Sequence, residues 1–148
     1  MGALSTALAR LAAVAVPGVN SIPLDATPGV LKRVSLPALV IVPELGGESP
    51  GLEPNPFAAG TGRLVVQVAH ALLLAPLTGG AGSGAALSAL MEALDAYVAA
   101  LAADPTLGGA LLAPLRLRLR VGVVRYGGVD YHGAVFAHTW TLPVESEQ

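Results

Sequence analysis

The chain has 148 residues, 53% of them hydrophobic and only 12% charged, with a formal net charge of −2. That length suits one domain, 1–148, with room for a real core, and the charge balance excludes a general attraction to nucleic acid or anionic membranes. The absence of cysteine excludes disulfides, thiolate nucleophiles and cysteine-ligated metals.

The mean hydropathy is +0.66, high for a chain that must stay in solution. The longest apolar run, 64–77, is interrupted by Gln67 and His70 and broken by Pro76. It falls short of the roughly 20 residues a spanning helix needs, so no membrane partner is expected. The N-terminal stretch carries Arg10 in its middle and no basic residue ahead of it, which reads as part of the fold rather than a secretion signal. Obligate self-association is then the favoured source of the apolarity, because obligate interfaces resemble a core cut in half.

In chain order, Leu4, Leu8, Leu11 and Ala15 recur at helical spacing and predict an amphipathic helix over 2–16, stopped by Pro17-Gly18. Pro17, Pro23 and Pro28 forbid regular helix over 17–35 and predict an extended, turning segment around Ile22. The run LPALVIVP at 36–43 predicts a strand, with Pro37 near its start where a missing donor is tolerated. Residues 44–62 carry three prolines and the acids Glu44, Glu48 and Glu53 and predict an irregular loop. A connection of that length reads either as a partner-binding arm or as a surface hairpin loop. The nearly continuous apolar run over 63–74 predicts a strand buried on both faces, or buried on one and covered at an interface on the other.

The glycine-rich TGGAGSG at 78–84 lacks the Gly-Lys-Ser/Thr that a phosphate loop requires, so it reads as a connector. Ser83 can cap a second helix whose apolar stripe is Leu87, Leu90, Met91, Leu94, Val98 and Leu101, with Ser88, Glu92 and Asp95 on the other face. Asp104-Pro105 ends that helix, and Gly108-Gly109 turns the chain. The last four residues, 145–148, read as a frayed tail.

The most informative stretch is 115–142, where two alternating segments meet at Gly127-Gly128. A two-residue turn there sets a hairpin register in which Arg125 faces Asp130, Leu119 faces Phe136, Val121 faces Ala134 and Leu115 faces Trp140. Arg116, Arg118 and Arg120 then occupy the opposite face, over Thr139, Ala137 and Val135. The arginine stripe has three readings: a solvated strand face, a subunit interface ion-paired with carboxylates, or a surface for DNA phosphates. Trp140 and Phe136 read as core anchors.

No catalytic residues, metal ligands or cofactor-binding residues are assigned. His132 and His138 share a hairpin face and His70 lies on another strand, without the convergent ligand spacing of a zinc site. The serines include no nucleophile elbow, and the acids are scattered over caps, loops and helix faces. The candidate interface residues are Arg116, Arg118, Arg120, Glu44, Glu48 and Glu53.

The overall expectation is an α+β fold, a mixed or antiparallel sheet of about four strands flanked by two helices, with a long C-terminal hairpin. The order of an N-terminal helix, LPALVIVP, an acidic loop, an apolar strand, a helix closing in LAADPTLGG, and the hairpin RYGGVDYHGAVFAHTWTL resembles the tail terminator proteins of long-tailed (siphovirus-type) bacteriophages. The resemblance covers nearly the whole chain and rests on the order and spacing of motifs such as DPTLGG and YGG-x-x-Y-x-G. It implies a non-enzymatic virion protein, assembled in the bacterial host cytoplasm, that caps the head-proximal end of the tail tube and stops its polymerisation. It further implies a homohexameric ring, with the tail tube protein and the neck or connector proteins as partners and DNA passing through the ring. Another neck or tail-completion protein, such as a stopper, is the nearest alternative, and a ligand-binding or enzymatic α+β domain using the histidine-bearing hairpin face is the more distant one.

Overall fold

The long apolar run becomes the central strand of the sheet, and the rest of the chain is laid against its two edges and two faces. The computed structural model describes residues 2–22, 36–42, 44–45, 49–50, 52–55, 63–76 and 83–143. Helix α1 (Ala3–Ala12) is followed by strands β1 (Asn20–Ser21), β2 (Ala38–Val42), β3 (Glu44–Leu45), β4 (Ser49–Pro50), β5 (Leu52–Asn55) and β6 (Arg63–Pro76). Helix α2 (Ser83–Ala102) then leads into β7 (Arg116–Tyr126) and β8 (Val129–Pro143).

The main sheet runs β1-β2-β6-β8-β7, with β5 also paired to β6. It is an α+β fold with a mixed sheet, since β1 joins β2 in parallel and the other pairings are antiparallel. The strand count exceeds the expected four because β1 and β5 lie in segments whose prolines hid them. β2 itself starts at Ala38, one residue after Pro37, whose peptide bond to Leu36 is cis.

The hairpin register is the one read from the sequence, from Arg116 opposite Thr139 through Arg125 opposite Asp130 to Tyr126 opposite Val129. Gly127 and Gly128 have φ of 59° and 81°, the pair of positive values that a type I′ turn demands and that residues with a Cβ rarely adopt. Arg125 and Asp130 approach to 3.8 Å at the exposed tip, where solvent leaves such a pair little energetic weight.

Alternation along β6 and β8 builds two cores. On one face Val66, Val68, Leu72, Ala134, Phe136, Trp140 and Leu142 meet Ala7 and Leu11 of α1 and Leu90, Leu94, Tyr97 and Leu101 of α2. Both helices therefore cover the same face of the sheet. On the opposite face Ala38, Val40, Ala69, Ala71 and Leu73 join Val124, Tyr126, Tyr131 and Val135. This is why 68–74 carries only one polar residue, His70: both faces of β6 are buried over that stretch.

Three expectations need correction. Helix α1 ends at Ala12, four residues before the expected boundary, and its buried line runs through Ala7 and Leu11, while Ala15 lies outside the helix and is exposed. In α2 the buried line is Leu90, Ala93, Leu94, Tyr97 and Leu101, which turns Met91 and Val98 outward; the Ser83 cap and Leu87 lie outside the described side chains. The small Ala93 and the amphipathic Tyr97 carry weak hydropathy signals, so the stripe read from leucine, methionine and valine was rotated by about one residue.

The third correction concerns 44–62. Its described residues are strands, not irregular loop. Val42 pairs with Ala69 and Leu52 with the adjacent Val68, so β2 and β5 lie end to end along one edge of β6, and the described residues between them belong to a separate pair of strands. In that pair Glu44–Leu45 lies against Ser49–Pro50. Of the turning segment expected over 17–35, the chain turns at Pro17-Gly18 and enters β1 at Asn20, and 23–35 lies outside the described residues, as do Glu48 and the tail.

After α2 the chain is pinned by polar contacts. The Gly108 N–H donates to Asp104 Oδ1 at 2.7 Å, and Arg10 Nε of α1 stands 3.9 Å from Asp104 Oδ2. Leu107 adopts φ of 49° with its side chain fully buried, a backbone strain held in place by that burial.

Candidate functional site

Two features stand out: the outer edge of the hairpin and a buried polar chain beneath it. Strand β7 is the last strand of the sheet, bonded to β8 on one side only. In an antiparallel pair every second residue directs its N–H and C=O away from the partner, so β7 offers a row of backbone donors and acceptors along eleven residues. On its helix-side face only Leu117, with Leu115 just ahead of the strand, packs in part against the main core. Leu119, Val121 and Val123 are 47%, 48% and 54% exposed, because the two helices reach β6 and β8 but stop short of the outer half of β7. On the other face Arg116, Arg118 and Arg120 are exposed and form no ion pair among the described residues.

The candidate interface residues therefore separate. The three arginines sit together on one face of an edge strand. Glu53 lies on β5, on the far side of β6 from the hairpin, Glu44 lies on β3 in the separate β3–β4 pair, and Glu48 falls outside the described residues. Within one chain β5, which carries Glu53, is separated from the arginines by β6 and β8.

The buried chain was not legible in the sequence as a unit. His70 of β6, Tyr97 of α2 and His138 of β8 converge in the main core. His70 Nδ1 lies 2.8 Å from Tyr97 Oη, and Tyr97 Oη lies 2.7 Å from His138 Nε2. Trp140 Nε1 donates to His138 Nδ1 at 3.3 Å. The indole can only donate, so His138 Nδ1 must accept and its proton sits on Nε2. That N–H donates to Tyr97 Oη, leaving the phenol to donate to His70 Nδ1. All the bonds point one way, Trp140 to His138 to Tyr97 to His70, and both imidazoles are neutral.

Burial agrees with this assignment. Desolvation, with a smaller contribution from the neighbouring His138, lowers the His70 pKa to about 3, and desolvation lowers that of His138 to about 4. Burial also raises the Tyr97 phenol well above its usual 10. Tyr97 further stacks on Phe136 with ring centroids 3.6 Å apart. His132 and His138 share the hairpin face, as the register read from the sequence has it; His138 joins the cluster, while His132, further toward the turn, does not. What unites the cluster is α2, whose Tyr97 bridges two strands from above, a contact between residues 27 and 41 apart in sequence.

This arrangement is suited to holding α2 in register on the sheet. Its polar atoms are sequestered, and a neutral phenol with a raised pKa is a poor general acid at neutral pH. Among the described residues no group of three or more His, Asp or Glu side chains is arranged to hold a metal ion. No helix among them is long and apolar enough to cross a membrane.

The buried histidines make stability depend on pH in a definite direction. Their folded-state values lie below the ordinary 6.5, so the unfolded chain binds more protons between about pH 6.5 and pH 4. Stability is full above pH 6.5 and falls as pH drops toward those folded values. For two such groups the loss from pH 7 to pH 5 is roughly 4 kcal/mol. Urea unfolding at the two pH values measures it, and equal midpoints would exclude neutral buried histidines.

No protein-family model matches the chain, and no curated protein matches it.

Proposed function

We propose that this protein is a structural subunit of a phage tail, a terminator that assembles as a ring, six-fold in its family, on the head-proximal end of the tail tube. There it stops tube polymerisation and offers the surface that joins the tail to the neck or connector proteins, with DNA passing through the ring. The motif order of the sequence supplies this reading. The structural observation that supports it is the open edge of β7, an eleven-residue strand with exposed aliphatic residues on one face and arginines on the other.

An edge of this length and apolarity is a template for unwanted pairing unless another chain covers it. The protein has not blunted it with proline or with charges on the apolar face. An obligate assembly resolves that hazard and accounts for the high hydropathy of the whole chain. The mechanism is steric: one face of the ring matches the tube subunits, and the other is incompatible with a further tube layer. A stopper of the neck would share the ring but not the affinity for a tube end.

The test is the purified protein, viewed by negative-stain electron microscopy and then mixed with purified tail tubes. Rings with an open centre that decorate one end of each tube are expected. Rings that ignore tubes would move the assignment to the stopper, and a monomer at all concentrations would remove the reading.

A further inference from the structure

We propose that the open edge of β7 is closed by the opposite edge of the sheet of a second copy, with β5 of that copy added as the next strand. This rests on the ring reading and names the surface it uses.

The register carries the argument. Glu53 pairs with Gln67, Gln67 with Thr139, and Thr139 with Arg116, so positions 53, 67, 139 and 116 form one row across the whole sheet. Residues directly opposite in a ladder share a face. The acidic position at one edge and the arginine at the other therefore lie on the same face, the one away from the helices. The neighbouring row behaves alike on the helix side, running from Leu52 through Val68 and His138 to Leu117. The two edges thus alternate in matching order, Leu52-Glu53 on one and Arg116-Leu117 on the other.

Direction also fits. Each step from β5 to β6, β8 and β7 is antiparallel, so β5 of the next copy, in the same orientation, arrives antiparallel to β7. A stagger by an even number of residues, as closure of a sheet requires, keeps acid and arginine on one face.

Charge separates the two edges completely. The arginines at 116, 118 and 120 have no acid among them on β7, while residues 44–62 hold three acids and no lysine or arginine. Val42 belongs to the row that ends at Arg118 and Leu52 to the next, which ends at Leu117, so Glu44 on β3 follows by two residues the row that a neighbour's arginines would meet. Two β7 edges meeting each other would instead place arginine against arginine. The contact is therefore heterologous, head to tail, and a heterologous contact closes into a ring when the rotation permits.

Charge reversal tests it, with the mass in solution read by light scattering and folding checked by circular dichroism. The variant R116E/R118E/R120E and the variant E44K/E53K should each fall to the mass of one chain, 14.8 kDa. Combining all five changes in one chain should restore the assembly, and so should mixing the two variants, since each then offers the other a complementary edge. Assembly that survives either variant overturns this seam while leaving the ring intact. Failure of the five-fold variant to reassemble, with its fold preserved, overturns it too. A wild-type monomer overturns both the seam and the ring.

Discussion

Replacing Gly133 by alanine is expected to destabilise the protein by about 3 kcal/mol or more, the upper range for a group forced into a packed interior. The backbone angle at Gly133 is not the reason. A methyl group there would press on the carbonyl oxygen of Leu72, with the Leu72 carbonyl carbon at 3.0 Å and Leu73 Cα at 3.4 Å. Those are backbone atoms of the central strand, and no rotamer change can move them aside. The crowding arises at the irregularity beside Gly133: Leu73 pairs with Gly133 and Ala75 with His132, so Leu74 is an extra residue in the ladder. A bulge increases the local twist and bends its strand toward the partner, and glycine accommodates the approach. Urea unfolding should show the loss as a lower midpoint with an unchanged slope. A midpoint within experimental error of the parent would mean that the strands do not approach so closely. Alanine at Gly128, where nothing lies within 4 Å, would act through backbone strain alone and cost less.

The second large effect is expected from Tyr97→Phe. The ring and its stacking on Phe136 are retained, so the apolar contribution barely changes. Removing the hydroxyl deprives two buried groups of their partner at once. His138 Nε2–H loses its acceptor, because Trp140 holds the proton on that nitrogen, and His70 Nδ1 loses its donor. Each unsatisfied buried group costs about 1–3 kcal/mol, so for the two a total of roughly 2–6 kcal/mol is expected. Replacing a lone, singly bonded phenol would cost about 1 kcal/mol, and a measured loss that small would contradict the one-way chain of donors. His138→Phe offers a cross-check. It leaves Trp140 Nε1 without an acceptor, and the combined variant with Tyr97→Phe should cost less than the sum of the two, since both remove the same bond.

Much of the fold was legible because it depends on local patterning. The hairpin of β7 and β8 could be registered residue by residue, since a Gly-Gly turn leaves one pairing and strand side chains alternate strictly. The length and apolarity of β6 announced burial on both faces. Helix α2 was recognisable by its period, but its rotation was not, because Ala93 and Tyr97 carry the contact while Met91 and Val98, the stronger hydrophobes, face outward. β1 and β5 were hidden since strands of two and four residues form only when a neighbouring strand supplies their hydrogen bonds. The arginine stripe was visible as a pattern, whereas its position on an edge required the strand order.

Composition and spacing along the chain were enough for the α+β class, the hairpin register, the arginine-bearing face and the exclusion of cysteine chemistry, since none of these needs knowledge of what lies opposite. That Tyr97 joins His70 to His138, and that Leu119, Val121 and Val123 of β7 are uncovered, emerged from the folded arrangement. It alone placed positions 53 and 116 at the two ends of one row. These are relations between residues far apart in sequence, and they arise when strand order and helix placement bring separate segments together.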